Sequence, residues 1–304
     1  MRQQVAILPD RRRLHLQDGP IDLIVEAFGT PADVRAAYAG AVARFATILD
    51  ELCAELPTLR AAVDPARPCP LDGTVTRQMW KAVAPFAADS FITPMAAVAG
   101  AVAEEMLAAM TTAAPALRRA YVNNGGDIAL HLAAGEDFNV AMIDRPDLPS
   151  QISTATIHAG DGVAGIATSG WRGRSFSLGI ADAVTVLAAS APEADAAATI
   201  VANAIDLHDH SGIVRVPANE LQSDNDLGSR KVTRDVPALT ASEIDVALAR
   251  GIAVANECHA RGLIVAASLH LQGVTTAIGL TADHSAMPSR FHQTDIPFKR
   301  LAHG

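Results

Sequence analysis

Three short segments of the chain combine small residues with groups that can bind a ligand. Residues 121–127 read Tyr-Val-Asn-Asn-Gly-Gly-Asp, residues 165–170 read Gly-Ile-Ala-Thr-Ser-Gly, and residues 195–199 read Asp-Ala-Ala-Ala-Thr. Glycines let backbone N–H groups approach an anion, hydroxyl groups hydrogen-bond a phosphate, and carboxylates bind hard cations. These residue types predict a site for an anionic ligand and a divalent cation.

The first segment supplies Asn124, Gly125, Gly126 and Asp127 as candidate ligand-binding residues. Two glycines directly before a strand allow a tight turn that offers N–H groups to an anion or a carbonyl, and Asp127 could then orient a hydroxyl or a metal-bound water. An ordinary Asn-Gly turn that leads into a hairpin has the same composition, and composition alone favours that simpler interpretation.

The second segment places the hydroxyls of Thr168 and Ser169 before Gly170, at the end of a short predicted strand. Both hydroxyls can hydrogen-bond a phosphate or the edge of a ring. The segment is not a Walker loop, because no Lys follows, and no Gly-x-Gly-x-x-Gly lies between a strand and a helix. A loop closure explains the pattern equally well.

The third segment puts Asp195 and Thr199 on one face of a predicted helix, with only Ala between them. Together with substrate phosphates they would complete a Mg²⁺ site, because this ion prefers oxygen ligands and keeps several waters. An ordinary helix N-terminus, with Asp195 favourable to the helix dipole, is the competing interpretation. Asp182 could supply another carboxylate and is the candidate general base.

Four segments alternate polar and apolar residues around a turn, which is the pattern of a β-hairpin. They are Arg13 to Ala27, Ala129 to Ile143, Thr154 to Thr168 and Ala267 to Gly279. Helices are predicted at Pro31 to Leu56, Met95 to Thr112, Pro192 to Leu207 and Ala241 to Arg261, with Thr30 and Ser190 as N-caps and Gly262 at the C′ position.

This order predicts an α+β fold built from a duplicated ββααββ unit, with an antiparallel sheet and helices. The first repeat would span residues 1–148 and the second residues 149–283, packed into one globular unit, and residues 284–304 would form an extended C-terminal tail. Residues 64–73 and 208–235 are polar or rich in Pro and are predicted to be long excursions.

Composition narrows the classes of partner. The formal net charge of −9 and the scattered Lys and Arg residues argue against nucleic acid. The three cysteines form no CxxC pair, which fits a reducing compartment and buried or idle thiols. The apolar stretches are interrupted before a length that spans a bilayer, so no membrane is expected and a cytoplasmic location is predicted.

Taken together, the three segments resemble one family. Asn123 to Asp127 resembles the Asn-x-Gly-Gly-Asp/Glu strand entry of ApbE flavin transferases, Ala167 to Gly170 their Ala-Thr-Ser-Gly turn, and Ala194 to Thr199 their Ala-Asp-x-x-x-Thr helix. The phrases Pro94 to Gly100 and Ser177 to Ala183 look like an uncharacterised branch of that superfamily. The likeness extends over most of the chain.

The resemblance implies a T-fold-like duplicated architecture, Mg²⁺ held by Asp195 and Thr199, and FAD or FMN as the ligand. It also implies cleavage of FAD with release of AMP and transfer of FMN to a Thr or Ser of a protein acceptor. Glu104 corresponds to a family acid, whereas Ala99 stands where the family has Lys, and the family's Ser-His-x-x-Asp-Pro segment lacks its His here. A small-molecule ligand, a protein acceptor and a second copy of the chain are the expected partners.

Two alternatives remain beside a metal-dependent transferase. Members of the same branch are linked to sulfur insertion during homocysteine formation, which would need a reactive thiol, and Cys69 is the cysteine predicted to lie in a loop. The other alternative is a non-catalytic protein that binds a flavin or another small molecule, because sites change more easily than scaffolds.

Overall fold

Thirteen strands occur in the computed structural model, which describes residues 3–143 and 151–279. Numbered along the chain, they are β1 (Gln4–Ile7), β2 (Leu14–Asp18), β3 (Ile21–Phe28), β4 (Arg119–Asn124), β5 (Asp127–Leu132), β6 (Asp137–Ile143), β7 (Gln151–His158), β8 (Gly165–Ser169), β9 (Ala183–Ala188), β10 (Val214–Pro217), β11 (Lys231–Asp235), β12 (Ala266–Leu271) and β13 (Val274–Ile278).

Nine of these strands form one antiparallel sheet in the order β1-β2-β3-β4-β5-β8-β9-β12-β13. The pairs β6–β7 and β10–β11 form two separate antiparallel ribbons. The sheet therefore continues across the middle of the chain through the pairing of β5 with β8, which joins the first half to the second.

The helices of the described chain are α1 (Pro31–Ala54), α2 (Leu56–Leu59), α3 (Thr74–Val83), α4 (Val98–Ala113), α5 (Ala191–Ala204), α6 (Ala218–Leu221) and α7 (Ala241–Ala260), with 3₁₀ turns at Ala84–Phe86 and Pro94–Ala97. The four longest, α1, α4, α5 and α7, pack on one face of this sheet. α4 contacts α1, α3 and α5, as well as β4 and β5. It is thus the central helix of the layer, and its buried side chains join the main core.

The β6–β7 ribbon covers part of the opposite face. Ala129 and Ala167 belong to the core beneath the helices, whereas their neighbours Leu130 and Ile166 belong to a second apolar cluster with Ile157 of β7. Successive residues of a strand point to opposite faces of a sheet. The ribbon therefore packs against the face that the helices leave open.

The predicted α+β class with an antiparallel sheet is confirmed, and so are two of the four hairpins. Arg13 to Ala27 contains β2 and all but the last residue of β3, and Ala267 to Gly279 contains most of β12 and all of β13. The predicted hairpins at Ala129 to Ile143 and Thr154 to Thr168 are wrong, because β5 pairs with β4 and β8 while β6 pairs with β7.

The predicted division of the chain keeps its standing as a prediction. The order ββααββ can be traced along each half when the ribbons and short helices are set aside. The predicted tail at residues 284–304 lies outside the described residues.

All four predicted helices form, with ends within a few residues of the expected positions. The helix predicted from Met95 begins instead as the 3₁₀ turn Pro94–Ala97 and becomes α-helical at Val98. The excursion at residues 64–73 contains no helix or strand, whereas that at residues 208–235 contains α6, β10 and β11. Gly262 has φ +70, as expected for a residue that ends a helix in the left-handed region.

The stretch Pro94–Ala113 is long and apolar enough to cross a membrane by length and composition alone. The sequence-based expectation that every apolar stretch is interrupted too early is therefore not met at this helix. In the structure the stretch packs among α1, α3 and α5, and core helices of water-exposed domains satisfy the same criterion. The cytoplasmic location stays a prediction.

The helix caps give a first testable difference. Thr240 accepts a hydrogen bond from the Glu243 N–H at 3.3 Å and donates its own N–H to the Glu243 carboxylate at 2.8 Å. Ser190 stands at the start of α5, but its side chain forms no cap hydrogen bond. The α5 N-terminus is instead bound by the Glu104 carboxylate, which accepts the Ala191 N–H at 3.1 Å.

We expect Thr240→Ala to lower the free energy of unfolding by about 1 kcal/mol, because it removes the hydroxyl that accepts the Glu243 N–H, whereas the backbone N–H of residue 240 can still donate to the Glu243 carboxylate. Ser190→Ala is the matched control and is expected to change stability by less than about 0.5 kcal/mol. Urea denaturation of both variants measures the difference. Equal losses in the two variants would show that the Ser190 hydroxyl does cap α5.

Candidate functional site

A cavity of about 580 Å³ lies beside the turn between β4 and β5. One wall consists of apolar side chains from α1, α2 and α4, namely Leu49, Leu52, Leu56, Leu59, Val98 and Val102. Polar groups concentrate at the turn and at the loop after β8: Asn124, Asp127, Arg174 and Ser175, with Arg60 at the end of α2. The cavity thus has an apolar wall and a polar end, as ligand sites often do.

The turn at the polar end consists of Gly125 and Gly126. Their φ angles are +68 and +117, so side chains would be strained at both positions. Asn123 accepts the Gly126 N–H at 2.9 Å, and Asn124 donates its side-chain amide to the Ala99 carbonyl at 3.2 Å. These two bonds fix the turn against the first residues of α4.

Asp127, the first residue of β5, lines the cavity next to this turn. Its carboxylate accepts the Thr168 N–H at 3.3 Å, which connects the first predicted segment to the second. Burial raises the pKa of Asp127 to about 7, and the bond from Thr168 acts in the opposite direction. The carboxyl group therefore changes its charge near neutral pH.

Asp195 on α5 comes close to Asp127 because α4 and α5 pack backbone to backbone. A Cβ atom on Gly100 would lie 2.3 Å from the Ala191 carbonyl oxygen, so only glycine permits this approach. The Gly100 N–H donates to the Asp195 carboxylate at 3.0 Å. The three predicted segments therefore lie near one another, through the hydrogen bond between Asp127 and Thr168 and the electrostatic influence of Asp127 on Asp195.

Burial, and next the negative charge of Asp127, raise the pKa of Asp195 well above its ordinary range. Two neighbouring carboxyl groups in such surroundings resist ionising together. Within residues 3–143 and 151–279, no Lys, Arg or His forms an ion pair with either group. A bound cation or a retained proton would relieve this repulsion.

The donors at this pair suit a hard cation better than a soft one. The described residues contain no group of three or more His, Cys, Asp or Glu side chains placed to hold a metal ion. Two carboxylates and the Thr199 hydroxyl, which follows Asp195 by one helical turn, supply oxygen atoms only. Mg²⁺ accepts such sites because it retains waters and uses substrate phosphates as further ligands.

The other predicted residues lie around this centre and do not line the cavity. Thr168 shares a hydrogen bond of 2.9 Å with the hydroxyl of Thr185. A Cβ atom on Gly170 would lie 2.4 Å from the Asp182 carbonyl oxygen. Ser169 ends β8 between these two residues. The buried carboxylate of Glu104 binds the α5 N-terminus, as described above, and burial raises its pKa.

Asp182, predicted as the general base, is buried in a network of its own. Its carboxylate accepts a hydrogen bond of 2.9 Å from the Arg172 guanidinium and one of 2.7 Å from the Gln272 backbone N–H. Both bonds fix the loop after β8, the first within the loop and the second to the β12–β13 turn. These contacts favour a positioning role, and the assignment of Asp182 as a base stays a prediction.

The sequence interpretation did not single out Arg60 and Arg174. Of the described residues that line the cavity, these two carry a positive charge. The available signal was the phrase Trp171-Arg-Gly-Arg-Ser175 directly after the Thr-Ser-Gly turn. Of the three thiols predicted to be buried or idle, Cys258 is buried, whereas Cys53 and Cys69 are exposed and Cys53 lines the cavity. That the two exposed thiols are idle stays a prediction.

Comparison with known proteins extends the resemblance noted in the sequence. A family model described as AbpE bacteria matches residues 5–277. A UPF0280 protein of Methanopyrus kandleri is 36% identical over 156 residues, which are 51% of this chain and 59% of that protein. A UPF0280 protein of Methanoregula boonei is 34% identical over 183 residues, or 60% of this chain and 73% of that protein.

A third relative, the UPF0280 protein of Methanothrix thermoacetophila, is 38% identical over 113 residues, covering 37% of this chain and 46% of its own length. The chain thus spans about half the length of the Methanopyrus and Methanothrix proteins that it matches. The UPF0280 proteins are an uncharacterised archaeal family, so these relatives give no activity or ligand.

Proposed function

Because the chain belongs to the ApbE-like family described as AbpE bacteria, we propose that it binds a flavin nucleotide, FAD or FMN, or a similar phosphate-containing ligand in the cavity beside the β4–β5 turn. A divalent cation, Mg²⁺ by the chemistry of the donors, would be held at Asp195 and Thr199 with Asp127 close by. The observation that carries the proposal is the pair of neighbouring carboxyl groups formed by Asp127, which lines the polar end of the cavity, and Asp195 behind it.

The shape and lining of the cavity support a ligand with a flat apolar part. Pockets for such molecules usually measure about 300–1,000 Å³ and place a few polar groups against an apolar wall. Here the leucines of α1 and α2 face α4 across the space. An isoalloxazine ring would lie along this wall.

Each polar residue has a distinct part in this proposal. A cation bound at the carboxylate pair would polarise a phosphoryl oxygen and neutralise developing charge. Asp127, whose pKa of about 7 lets it take up or release a proton near neutral pH, would orient or deprotonate an acceptor hydroxyl. Thr168 positions Asp127 through its backbone N–H, and Gly100 positions Asp195.

We infer that a transferase reaction, with a protein acceptor, is the activity this arrangement supports best. The non-catalytic alternative would use the same cavity without cleaving the ligand. The sulfur-insertion alternative would use a thiol, and the exposed Cys53 replaces Cys69 as its best placed candidate, since Cys53 lines the cavity. The carboxylate pair favours the transferase reaction over sulfur insertion, because a thiol reaction does not need two carboxylates.

We further propose that the two halves of the sheet are the two ββααββ repeats expected from the sequence. The pairing of β5 with β8 would then join the repeats edge to edge. The β4–β5 turn of the first half and the β12–β13 turn of the second, Gln272-Gly273, have corresponding positions in the order of elements. A second copy of the chain remains a proposed partner.

Titration with flavins tests the proposed function. We expect FAD to raise the unfolding temperature more with Mg²⁺ than without it, since a ligand at 100 times its dissociation constant adds about 2.7 kcal/mol of stability. Chromatography of the incubated mixture then separates the alternatives, because a transferase liberates AMP and a binding protein retains intact FAD. Failure of FAD, FMN and riboflavin alike to stabilise the protein would refute flavin binding.

A further inference from the structure

Arg174 occupies an unusual position for a surface arginine. A Cβ atom built on Gly125 would lie 3.3 Å from the Arg174 guanidinium, so this group lies against the β4–β5 turn at the polar end of the cavity. It forms no ion pair with the residues that the structure describes. A positive charge is thereby held next to the turn without an internal counterion.

The loop that carries Arg174 is anchored on both sides. Before it, Trp171 donates its backbone N–H to the Ala181 carbonyl at 3.0 Å. Arg172 lies over the Trp171 ring, 4.2 Å from the ring centre, and also donates to the Asp182 carboxylate. After it, Leu178 donates its N–H to the Asn203 side chain at 2.9 Å. These contacts limit the freedom of the exposed residues between them, Arg174 and Ser175, both of which line the cavity.

Arg60 is the second cation of the cavity, and it has a partner. Its guanidinium lies 3.1 Å from the carboxylate of Asp224, whose side chain is 66% exposed. Ion pairs that face water contribute little stability, so a better ligand can replace Asp224 at small cost. Arg60 is therefore held in place by an anion that is easily displaced.

Asp224 belongs to a segment, residues 222–230, that contacts the cavity-lining Arg60 and two residues shortly before the cavity-lining Met95. Asp226 accepts a hydrogen bond of 2.5 Å from Thr93, which is two residues before the cavity-lining Met95, and Arg230 stacks over the Phe91 ring at 3.3 Å. This accounts for part of the polar excursion at residues 208–235. The segment places the Asp224 carboxylate against Arg60 and is fixed elsewhere by the contacts of Asp226 and Arg230.

We propose that Arg174 and Arg60 form the phosphate-binding end of the cavity, and that Asp224 is a built-in counterion of Arg60 which a ligand phosphate replaces. The guanidinium fork matches the oxygens of a phosphate and can form two parallel hydrogen bonds. The inference rests on the proposed function and deepens it, since it names the residues that would bind the phosphate of the ligand and the carboxylate that this phosphate would displace. It predicts discrimination between a flavin nucleotide and the same ring without phosphate.

Pyrophosphate without any flavin is the first probe, with Trp fluorescence or calorimetry as the readout. We expect Arg174→Ala to weaken its binding at least about tenfold, because a charge-assisted bidentate contact is lost. Arg35→Ala, which removes an equal charge from an exposed position on α1, is the matched control and should leave the affinity within about twofold. Equal effects of the two substitutions would overturn the proposal.

Asp224→Asn tests the counterion. We expect pyrophosphate to bind about threefold more tightly to this variant, since Arg60 no longer pairs with a carboxylate. Glu220→Gln is the matched control, because it removes the same charge from an exposed position on α6 in the same excursion. Tighter binding in both variants would reveal a general effect of net charge and would contradict the counterion role.

FMN and riboflavin separate this inference from the proposed function. We expect FMN to bind the wild-type protein more tightly than riboflavin and Arg174→Ala to reduce that ratio towards one. If both flavins bind equally well to both proteins, the flavin cavity stands and the phosphate end is refuted. If pyrophosphate binding depends on Arg174 while no flavin binds, the phosphate end stands and the proposed flavin function is refuted.

Discussion

Alanine at position 100 is expected to lower the free energy of unfolding by about 3 kcal/mol or more, at the upper end of the usual cost of overpacking. The added Cβ would lie 2.3 Å from the Ala191 carbonyl oxygen and 2.6 Å from its carbon. Both atoms belong to the backbone of α5 and cannot rotate away as a side chain could. Relief requires α4 and α5 to separate along a buried contact.

Gly160→Ala is the matched control, since nothing lies within 4 Å of a Cβ at that position. We expect it to change stability by less than about 0.5 kcal/mol, and urea denaturation with circular dichroism measures both variants. Separation of the helices should also disturb the Gly100–Asp195 hydrogen bond, so Mg²⁺ binding should weaken in Gly100→Ala alone. A Gly100→Ala protein as stable as the control would show that the two helices are not in such close contact.

Local patterns in the sequence were sufficient for the helices and the outer hairpins. The capping box at Thr30 and Asp33, for example, is formed as the residue types suggest, and the outer strand pairs β2–β3 and β12–β13 are neighbours both in sequence and in the sheet. In these elements the interactions that define the structure join residues a few positions apart. Pattern and structure therefore agree.

Strand pairing in the middle of the chain could not be predicted from local sequence patterns. Residues 119–124 are too short and polar to stand out, yet they form β4, joined to β5 by the two-residue Gly125-Gly126 turn. β6 and β7 alternate like sheet strands but leave the sheet to form a ribbon on its other face. Alternation indicates a strand and says nothing about its partner, which tertiary packing decides.

The same distinction applies to the candidate site. Each motif could be recognised from its own residues, but the approach of Asp195 to Asp127 depends on the glycine contact between α4 and α5. Arg60 and Arg174 are separated by more than a hundred residues and form no motif. They become visible as a pair only because they line one cavity.

Asp127→Asn is expected to stabilise the protein without ligands by about 1–3 kcal/mol at about pH 8, and to have almost no effect at about pH 4. Burial raises the pKa of Asp127 from its ordinary value of 3.8 to about 7 on folding. Since the folded state binds its proton more tightly, its stability is complete at low pH and declines as the pH rises through about 7. Asn has the same shape, still accepts the Thr168 N–H and cannot ionise.

Mg²⁺ should reverse the order of stability of the wild-type protein and Asp127→Asn. Bound to the ionised pair, it would compensate the repulsion between Asp127 and Asp195, so wild-type protein should gain thermal stability from Mg²⁺ at about pH 8 and much less at about pH 5, where the pair is protonated. Asp127→Asn and Asp195→Asn should gain little at either pH. Thermal unfolding, with NaCl added to equal ionic strength in the samples without Mg²⁺, measures these shifts.

Asp245→Asn is the matched control, because it removes one carboxylate from an exposed position on α7. It should respond to pH and Mg²⁺ as the wild-type protein does. If the stability of wild type and Asp127→Asn changes in parallel between about pH 4 and pH 8, the two carboxyl groups ionise independently of folding. If all four proteins gain equally from Mg²⁺, the ion binds elsewhere and the carboxylate pair is not the metal site.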